Sequence, residues 1–404
     1  MQAVASDKPL SGITVIELGQ LLAGPFCGQM LAYFGADVIK VETPGSGDQL
    51  RGWRLLDDSG TSYWWRSLAR NKRSVTIDLK EERGQQLVRS MLERADVVIE
   101  NFRPGKMESW GMGPEDFNVT NPSLVYTRIS GYGQTGPYST KPGYASACEA
   151  MGGFRHVNGF PDRPPVRPNL SIGDTLAGMH AVIGTLLALM KRQSAGADGA
   201  GQVVDVSILE SVYNMMEGVV PEYSGAGVQR EPSGSTLTGI VPTNTYRCRD
   251  DRYVVIGGNG NSIFKRLMAA AGREDLANDE RLAENSGRVE HEDEIDEVLQ
   301  GWALQHDADD LLQLLQQAEV PSAPIYSVAD MFEDEHFRKR GMIETVEYEG
   351  KTLEVPALHP RLAKTPGGTN WAGPTLGAHT DEVLTQFLGC SADDIVKLRK
   401  AGIV

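Results

Sequence analysis

The 404-residue chain is poor in cysteine, in basic charge and in long hydrophobic runs. The four cysteines lie far apart, without paired spacing: Cys27, Cys148, Cys248 and Cys390. This spacing argues against a disulfide framework and predicts reduced thiols in a cytosolic compartment. Acidic residues outnumber basic residues by 54 to 39. The resulting net charge of −15 argues against a broad nucleic-acid or membrane-surface face, although a local basic pocket remains compatible with it.

Hydrophobic segments long enough for a membrane or a secretion signal are also missing. The longest apolar stretch, Leu176 to Met190, is interrupted by Gly178, His180 and Gly184, and we interpret it as too short to span a bilayer. Residues 1–8 lack a basic region followed by an apolar run, so we expect no secretory signal. We therefore predict a soluble cytoplasmic protein, and its size favours an enzyme.

Metal-binding and serine-hydrolase patterns do not occur either. The seven histidines include no pair at i, i+4, and no cysteine pair lies near them. A Gly-x-Ser-x-Gly sequence is absent. The Gly258-Asn259-Gly260 sequence resembles the start of a dinucleotide fingerprint, but Ile263 stands where a third small residue is needed. We interpret it as a tight turn into a helix and expect neither a metal nor a tightly bound cofactor.

Strand and helix patterns alternate through the first half of the chain. The predicted strands are Thr14–Leu18, Val38–Val41, Val75–Leu79, Val97–Ile99, Leu124–Ile129 and Val203–Val206. The predicted helices are Pro25–Phe34, Arg83–Arg94, Ala145–Gly152 and Thr175–Lys191. This alternation is typical of an α/β fold with a doubly wound parallel sheet that is covered on both faces.

The composition changes after about residue 215 and predicts a second domain. The segment Glu222–Pro242 is polar and glycine-rich, as is typical of a linker or mobile loop. The strand and helices beyond it, dense in Asp and Glu, favour a smaller α/β domain over residues 216–329. Residues 1–215 and 330–404 then form one large Rossmann-like domain, which ends in a strand hairpin and two helices.

Candidate catalytic residues lie in the proline-rich segment before the long apolar helix. Asp174 lies where this segment turns into the helix, and Gly173 beside it permits close approach of a ligand. A carboxylate at a helix N-terminus is stabilised as the anion, as a nucleophile requires. The alternative is that Asp174 is only a helix cap. Arg163 and Arg167 are either solvated loop charges or a bidentate site for a substrate carboxylate.

Short motifs along the chain occur in an order that resembles one enzyme family. The motifs are Pro9–Gly19, Leu22–Pro25, Gly35–Glu42, Asn71–Ser74, Asp78–Lys80, Glu100–Gly105, Ser130–Pro137, Gly173-Asp174 and Leu376–Asp381. Together they are similar to the class III coenzyme A transferases, a family that includes formyl-CoA transferase, carnitine CoA-transferase and α-methylacyl-CoA racemase. The ordered set covers nearly the whole chain.

The resemblance implies a homodimer of interlocked subunits that uses an acyl-CoA thioester as substrate. It makes Asp174 the catalytic nucleophile. The CoA-binding positions that it implies are Ala23, Ile77, Lys80, Asn101 and Phe102.

Two positions depart from the family pattern. Thr43 and Ser109 stand where members of the family often carry arginine. We expect Arg73, Arg103 or Lys106 to supply charge for the CoA phosphates instead.

The racemase branch of the family is disfavoured by one position. Racemases of this family use a histidine in a Gly-His-Asp motif, where this chain has Gly143-Tyr144-Ala145. Tyrosine, with a reference pKa of ~10, is a poor base near pH 7. A transferase is therefore favoured. Tyr144 is expected to contact the substrate. An acyl-CoA racemase and a catalytically silent CoA-binding homologue remain the alternatives.

The substrate class follows from the same segment. The run Arg167–Asp174 resembles relatives that act on succinyl-CoA with C4 or C5 dicarboxylates, and Arg163 and Arg167 suggest a second carboxylate on the substrate. The expected reaction moves CoA from succinyl-CoA to a dicarboxylic acid through an aspartyl anhydride and an aspartyl-CoA thioester. Glycine-rich loops at Thr238-Gly239 or Gly257–Gly260 are expected to exclude water.

Overall fold

A computed structural model describes residues 8–196 and 199–404, so most of the segment in which we sought a secretory signal, residues 1–7, lies outside the described residues. The chain divides into two compact units. Unit 1 contains residues 8–154, Pro168–Glu217 and Arg338–Val404, and unit 2 contains Arg155–Arg167 and Gly218–Phe337. The partition from sequence kept residues 155–167 in the large domain, whereas the structure groups them with unit 2.

A six-stranded parallel sheet with the strand order β3-β2-β1-β4-β5-β6 forms the centre of unit 1. Its strands are β1 (Thr14–Glu17), β2 (Asp37–Glu42), β3 (Lys72–Thr76), β4 (Val97–Glu100), β5 (Val125–Ser130) and β6 (Val203–Ser207). The predicted parallel sheet is confirmed. The third strand begins three residues before the predicted Val75–Leu79, because its first residue is a buried lysine, Lys72, that the apolar pattern did not reveal.

Helices cover both faces of this sheet. The helices that begin in unit 1 are α1 (Ala23–Tyr33), α2 (Tyr63–Leu68), α3 (Glu82–Leu92), α4 (Lys106–Ser109), α5 (Ala145–Met151), α6 (Phe154–Val157), α7 (Ile172–Ser194), α8 (Ile208–Tyr213), α17 (Thr380–Gln386) and α18 (Ala392–Lys400). Val15 of β1 packs in a buried cluster with α1 and α7. Its neighbour Ile16 packs in a second cluster with α3, α17 and α18. Because successive strand residues face opposite sides, the sheet is buried on both faces and is doubly wound.

An antiparallel hairpin completes unit 1. Its strands are β10 (Ile343–Tyr348) and β11 (Lys351–Pro356). The turn between them is Glu349-Gly350, as the sequence predicts, and both residues have a positive φ.

The long helix α7 differs from its prediction at the start. It begins at Ile172, with Ser171 at the N-cap position, so Asp174 lies within the first turn. The interpretation of Asp174 as the helix cap is therefore wrong. Among the described residues, α7 is the one helix long and apolar enough, by length and composition, to cross a membrane, which corrects our expectation that this stretch is too short. The core helices of soluble proteins pass the same test, and Ala177 and Ala181 of α7 are buried in the core of unit 1.

Unit 2 is a smaller α/β body with an antiparallel sheet. Its strands, in the order β7-β8-β9, are β7 (Thr243–Arg247), β8 (Tyr253–Gly257) and β9 (Ser322–Pro324). The helices that begin there are α9 (Val219–Ala226), α10 (Asn261–Ala270), α11 (Glu274–Ala277), α12 (Asn285–Glu290), α13 (Glu292–Ala303), α14 (Ala308–Gln317), α15 (Val328–Glu333) and α16 (Glu335–Lys339). Helix α9 corrects part of the predicted loop Glu222–Pro242. The helix stops at Gly227, whose φ of 68° is left-handed.

Candidate active site

The carboxyl ends of the six parallel strands meet at one edge of the sheet. The strand order reverses between β1 and β4, and open α/β sheets usually bind ligands at such a switch point, beside the loops that follow the two strands. Asn101, directly after β4, ties the two loops together. Its side-chain oxygen accepts from Gln20 N at 2.8 Å, and its amide nitrogen donates to Gln20 O at 2.8 Å.

A buried aspartate holds the next residue of the loop after β1. Leu21 has a left-handed backbone with φ 63°, a strained conformation for a leucine. Its amide donates to both carboxylate oxygens of Asp48, each at 3.2 Å. Burial opposes the ionised form of Asp48, but the Lys40 ammonium at 2.9 Å and backbone amides outweigh it and lower the pKa of this carboxyl. The ionised Asp48 therefore fixes the entry to α1.

A buried ion cluster lies beneath this loop. The Glu17 carboxylate is 3.2 Å from the Lys40 ammonium and 2.8 Å from the Lys72 ammonium. Lys72 also donates to Pro25 O, in the first turn of α1, at 2.7 Å. A Cβ at Gly28 would lie 1.8 Å from a Glu17 oxygen, so only glycine fits there. The cluster thus joins the start of α1 to three strands of the sheet.

Asp174 lies at the same edge of the sheet. Helix α7 connects β5 to β6, which are parallel, so the chain must return along the sheet and α7 begins at the carboxyl edge. The Asp174 side chain is half-buried in the first turn. One turn further on, a Cβ at Gly178 would lie 2.9 Å from Ala23 O, so α7 crosses the start of α1 in close contact. The predicted residues Ala23 and Asp174 are therefore brought to neighbouring turns of two packed helices.

Helix α5 contributes a thiol and a second carboxylate to this region. Glu149 is buried, and its Oε1 accepts from Gly173 N at 3.1 Å. The neighbouring Cys148 thiol donates to Gly131 O at 3.2 Å. Burial, with the charges of Asp174 and Glu149, raises the pKa of Cys148 to about 11. The thiol therefore stays protonated near neutral pH, and the acidic cluster Cys148–Glu149–Asp174 offers Asp174 as its accessible carboxylate.

Several of the predicted CoA-binding residues also lie along this edge. Ile77 follows β3 and is buried, whereas Lys80 is exposed three residues later. Phe102 is half-buried after β4 and packs edge-to-face on Trp110, with ring centroids 5.3 Å apart. The Lys106 ammonium lies 4.3 Å from the centroid of the Trp110 ring. Arg103 is exposed on the same loop.

Arg73 lies elsewhere in the sheet. It is the second residue of β3, and its guanidinium is paired with Asp37, the first residue of β2, and with Glu382 at 3.3 Å. These carboxylates are at the amino side of the sheet, and they neutralise the charge that we expected Arg73 to offer to CoA phosphates.

The predicted substrate residues occupy exposed positions. Tyr144 is at the N-cap position of α5 and 71% exposed. Arg163 and Arg167 are exposed residues of unit 2. The Arg163 guanidinium lies 4.9 Å from the centroid of the Phe160 ring and 4.0 Å from the Asp162 carboxylate.

The glycine turn singled out in the sequence is a structural turn. It leads from β8 into α10, as predicted. The fully buried Arg288 guanidinium fixes it by donating to Asn259 O at 2.6 Å, and it donates to Val241 O at 3.0 Å. Within residues 8–196 and 199–404, no group of three or more His, Cys, Asp or Glu side chains is arranged to hold a metal ion.

Sequence reasoning missed three supports of the site: Gln20, Asp48 and Glu149. Each of them forms a hydrogen bond with a residue that is between 24 and 81 positions away in the sequence. A local sequence pattern cannot indicate a contact of this kind. The Gly47-Asp48 pair before a short helical turn was the nearest signal in the sequence, because aspartate often caps such turns.

A doubly wound sheet with an acidic cluster at its carboxyl edge is the architecture of an α/β enzyme. The family model for CoA-transferase family III matches residues 10–380. The chain therefore belongs to this family, and it is a CoA-transferase.

Similar proteins agree with this assignment. The chain is 44% identical over 405 residues to succinyl-CoA–D-citramalate CoA-transferase of Chloroflexus aurantiacus, with 100% of both chains covered. It is 35% identical over 387 residues to succinate–glutarate CoA-transferase of Agrobacterium fabrum, with 94% and 96% covered. The crystal structure of a CAIB/BAIF family protein from Brucella suis aligns with a TM-score of 0.82 at 34% identity, covering 94% of this chain and 99% of that one.

Proposed function

We propose that this chain transfers CoA from succinyl-CoA to a dicarboxylic acid through covalent intermediates on Asp174. The observation that carries the proposal is a half-buried carboxylate in the first turn of α7, at the carboxyl edge of the sheet. The names of the similar enzymes support the substrate class, because they pair succinyl-CoA or succinate with citramalate or glutarate. The four free cysteines support a cytosolic location.

The reaction divides one exchange into covalent steps. The Asp174 carboxylate attacks the thioester carbonyl of the donor; a C–O bond forms, the C–S bond breaks and CoA leaves as the thiolate. The thiolate then attacks the aspartyl carbonyl of the mixed anhydride, which releases the donor acid as a carboxylate and leaves aspartyl-CoA. The acceptor carboxylate attacks this thioester and again expels CoA thiolate. Attack of the thiolate on the acceptor acyl carbonyl gives the new acyl-CoA and frees Asp174, with no net proton transfer.

The start of α7 suits this chemistry. The positive end of the helix dipole stabilises an anion in the first turn of α7, so Asp174 is available as the carboxylate. The same dipole stabilises negative charge that develops on the attacked carbonyl oxygen. The protonated Cys148 thiol, with its raised pKa, does not compete as a nucleophile.

The loops after β1 and β4, at the point where the strand order reverses, form the proposed CoA site. Asn101 and Phe102 contact the pantetheine arm, and Ile77 and Lys80 lie near the adenine. Because Arg73 is paired with acidic side chains, the exposed cations Arg103 and Lys106 supply charge for the phosphates. Arg73 is thus the one predicted CoA-binding residue that loses its predicted role in the proposal.

The reaction is tested directly by mass spectrometry. Purified protein is incubated with succinyl-CoA and, in turn, citramalate, malate, glutarate and butyrate. We expect a new CoA ester of at least one dicarboxylic acid and release of succinate in equal amount. Consumption of succinyl-CoA without any new ester, or no consumption at all, would contradict the proposal.

The proposed enzyme is a homodimer, and the exposed face of α7 supports this. Four apolar side chains on that face, at helical spacing, are 46–66% exposed: Met179, Ile183, Leu187 and Met190. A contiguous apolar stripe of this kind marks an interaction surface in a soluble protein. A second copy of the chain is the proposed partner.

Charge on this stripe is expected to weaken the dimer. The double variant Ile183→Glu, Leu187→Glu should elute as a monomer or aggregate, because burying two carboxylates in an apolar interface is costly. Size-exclusion chromatography with light scattering measures the mass. Gln193→Glu, an exposed polar position of the same helix, is the matched control and should remain dimeric. A double variant that stays dimeric would place the interface elsewhere.

Epimerisation of 2-methylacyl-CoA thioesters is expected to be negligible. The position of the racemase histidine is Tyr144, an exposed residue, and a single carboxylate lacks the second base that inversion requires. NMR in deuterium oxide measures exchange of the α-proton and loss of stereochemistry. Rapid scrambling in the absence of any acceptor acid would favour the racemase.

A further inference from the structure

We propose that Glu149 is a positioning residue for the nucleophile: its buried carboxylate caps α7 from the neighbouring helix α5 and so fixes the turn that carries Asp174. The inference rests on the proposed function and assigns a role to a residue that does not touch substrate.

The residue at the N-cap position of α7 does not cap the helix with its side chain. Ser171 is at the N-cap position, but its side chain makes no capping hydrogen bond within the described part of the chain. The first N–H groups of any helix have no partner inside the helix and need an acceptor when they are buried. Gly173 is buried, and its N–H donates to Glu149 Oε1 at 3.1 Å. Glu149 therefore performs, from 24 residues away, the role that a cap residue usually performs.

The packing around Gly173 fixes the contact sterically. A Cβ at Gly173 would lie 3.2 Å from Glu149 Cγ, 3.2 Å from Ile208 Cγ2 and 3.3 Å from Ala145 Cβ. These distances are shorter than ordinary van der Waals contact, so the absence of a side chain lets α5 and α8 approach the first turn of α7. With its own side chain 1% exposed, Glu149 has little freedom to move.

Burial separates the roles of the two carboxylates. Glu149 is buried, whereas Asp174 is half-buried and reaches solvent. A thioester can therefore approach Asp174 but not Glu149. Because Asp174 directly follows the amide that Glu149 holds, a shift of that amide moves the nucleophile. A misplacement of about 1 Å can cost on the order of a hundredfold in rate.

Two substitutions of Glu149 separate positioning from general stability. Glu149→Ala removes the acceptor, and we expect kcat to fall at least about tenfold while KM for succinyl-CoA changes less than about twofold. Glu149→Gln keeps an amide oxygen at the same reach, so kcat should stay within about threefold of the wild type. Asn121→Ala is the matched control, because Asn121 is also buried and hydrogen-bonded, donating to Leu92 O and Ala95 O. It precedes the amino end of β5, whereas the candidate site lies at the carboxyl edge of the sheet. It should lower Tm without lowering kcat per folded molecule.

A further variant covers the case in which Glu149→Ala does not fold. Gly173→Ala introduces the Cβ that crowds Glu149 Cγ, and it should lower kcat with little change in KM. The inference is overturned if Glu149→Ala or Gly173→Ala keeps full kcat, or if Glu149→Gln loses as much as Glu149→Ala. A wild-type protein that transfers CoA to no acceptor would instead overturn the proposed function. Active wild type with a labelled Asp174 and an unaffected Glu149→Ala variant would defeat this inference alone.

Discussion

Asp174→Ala is expected to abolish CoA transfer while the protein keeps its fold. Alanine has a high helix propensity, and the side chain is only half-buried, so the first turn of α7 should persist. Loss of a covalent nucleophile usually costs several orders of magnitude in kcat. Turnover of succinyl-CoA with a dicarboxylic acceptor, measured beside circular dichroism and Tm, tests this. A variant that keeps more than about a tenth of wild-type turnover would refute the covalent mechanism.

The intermediate itself provides a second measurement. Wild-type enzyme is treated with succinyl-CoA and then with hydroxylamine, which converts an aspartyl thioester or anhydride to a hydroxamate, or with borohydride, which reduces it. Peptide mapping should find the modification on Asp174. Asp393→Ala, at an exposed first-turn carboxylate of α18, is the matched control and should retain both turnover and labelling. Labelling of another peptide would reassign the nucleophile.

The parallel sheet could be predicted because its strands are short apolar runs separated by amphipathic helices. Val97–Glu100 and Val125–Ser130 are buried at every residue, as the pattern requires. The apolar pattern places the start of β3 three residues too late, because Lys72 and Ser74 are buried polar residues of this strand and apolar patterns do not include them. Burial of Lys72 depends on Glu17, a residue of another strand. Information of this kind exists only after the chain has folded.

The candidate site likewise contains residues that the sequence indicates and residues that it does not. Gly173-Asp174 could be found because it belongs to the ordered set of family motifs; the local pattern alone, a carboxylate beside a glycine at a helix start, fits a helix cap equally well. The start of α7 itself was predicted three residues late, since Ile172 and Gly173 are weak helix formers and the cap comes from Glu149. The strained Leu21 could not be anticipated either, because Asp48 holds it from 27 residues away. A sequence motif therefore marks the candidate nucleophile, whereas the residues that support it are identified only by their contacts in the folded chain.

Arg167→Gln is expected to weaken the use of dicarboxylic acceptors selectively. Arg163 and Arg167 precede Asp174 by eleven and seven residues, and the prolines between them, with Pro168, stiffen this segment. Arg163 already has Asp162 at 4.0 Å and lies over the Phe160 ring. We propose that Arg167, which precedes Asp174 by only seven residues in the sequence, recognises the distal carboxylate, because a guanidinium group binds a carboxylate bidentately.

The expected size follows from the strength of a charge-assisted contact. Such a hydrogen bond in a closed site contributes roughly 2–3 kcal/mol, or about thirty- to 150-fold in kcat/KM. Arg167→Gln should lower kcat/KM for a dicarboxylic acceptor by this factor, mainly through KM, and change it less than about twofold for butyrate. Arg163→Gln, in the same exposed segment, is the matched control and should affect both acceptors little, because its charge is already opposed by Asp162. Equal losses with the dicarboxylate and with butyrate would show that Arg167 supports the loop or the CoA phosphates, and that the acceptor carboxylate is recognised elsewhere.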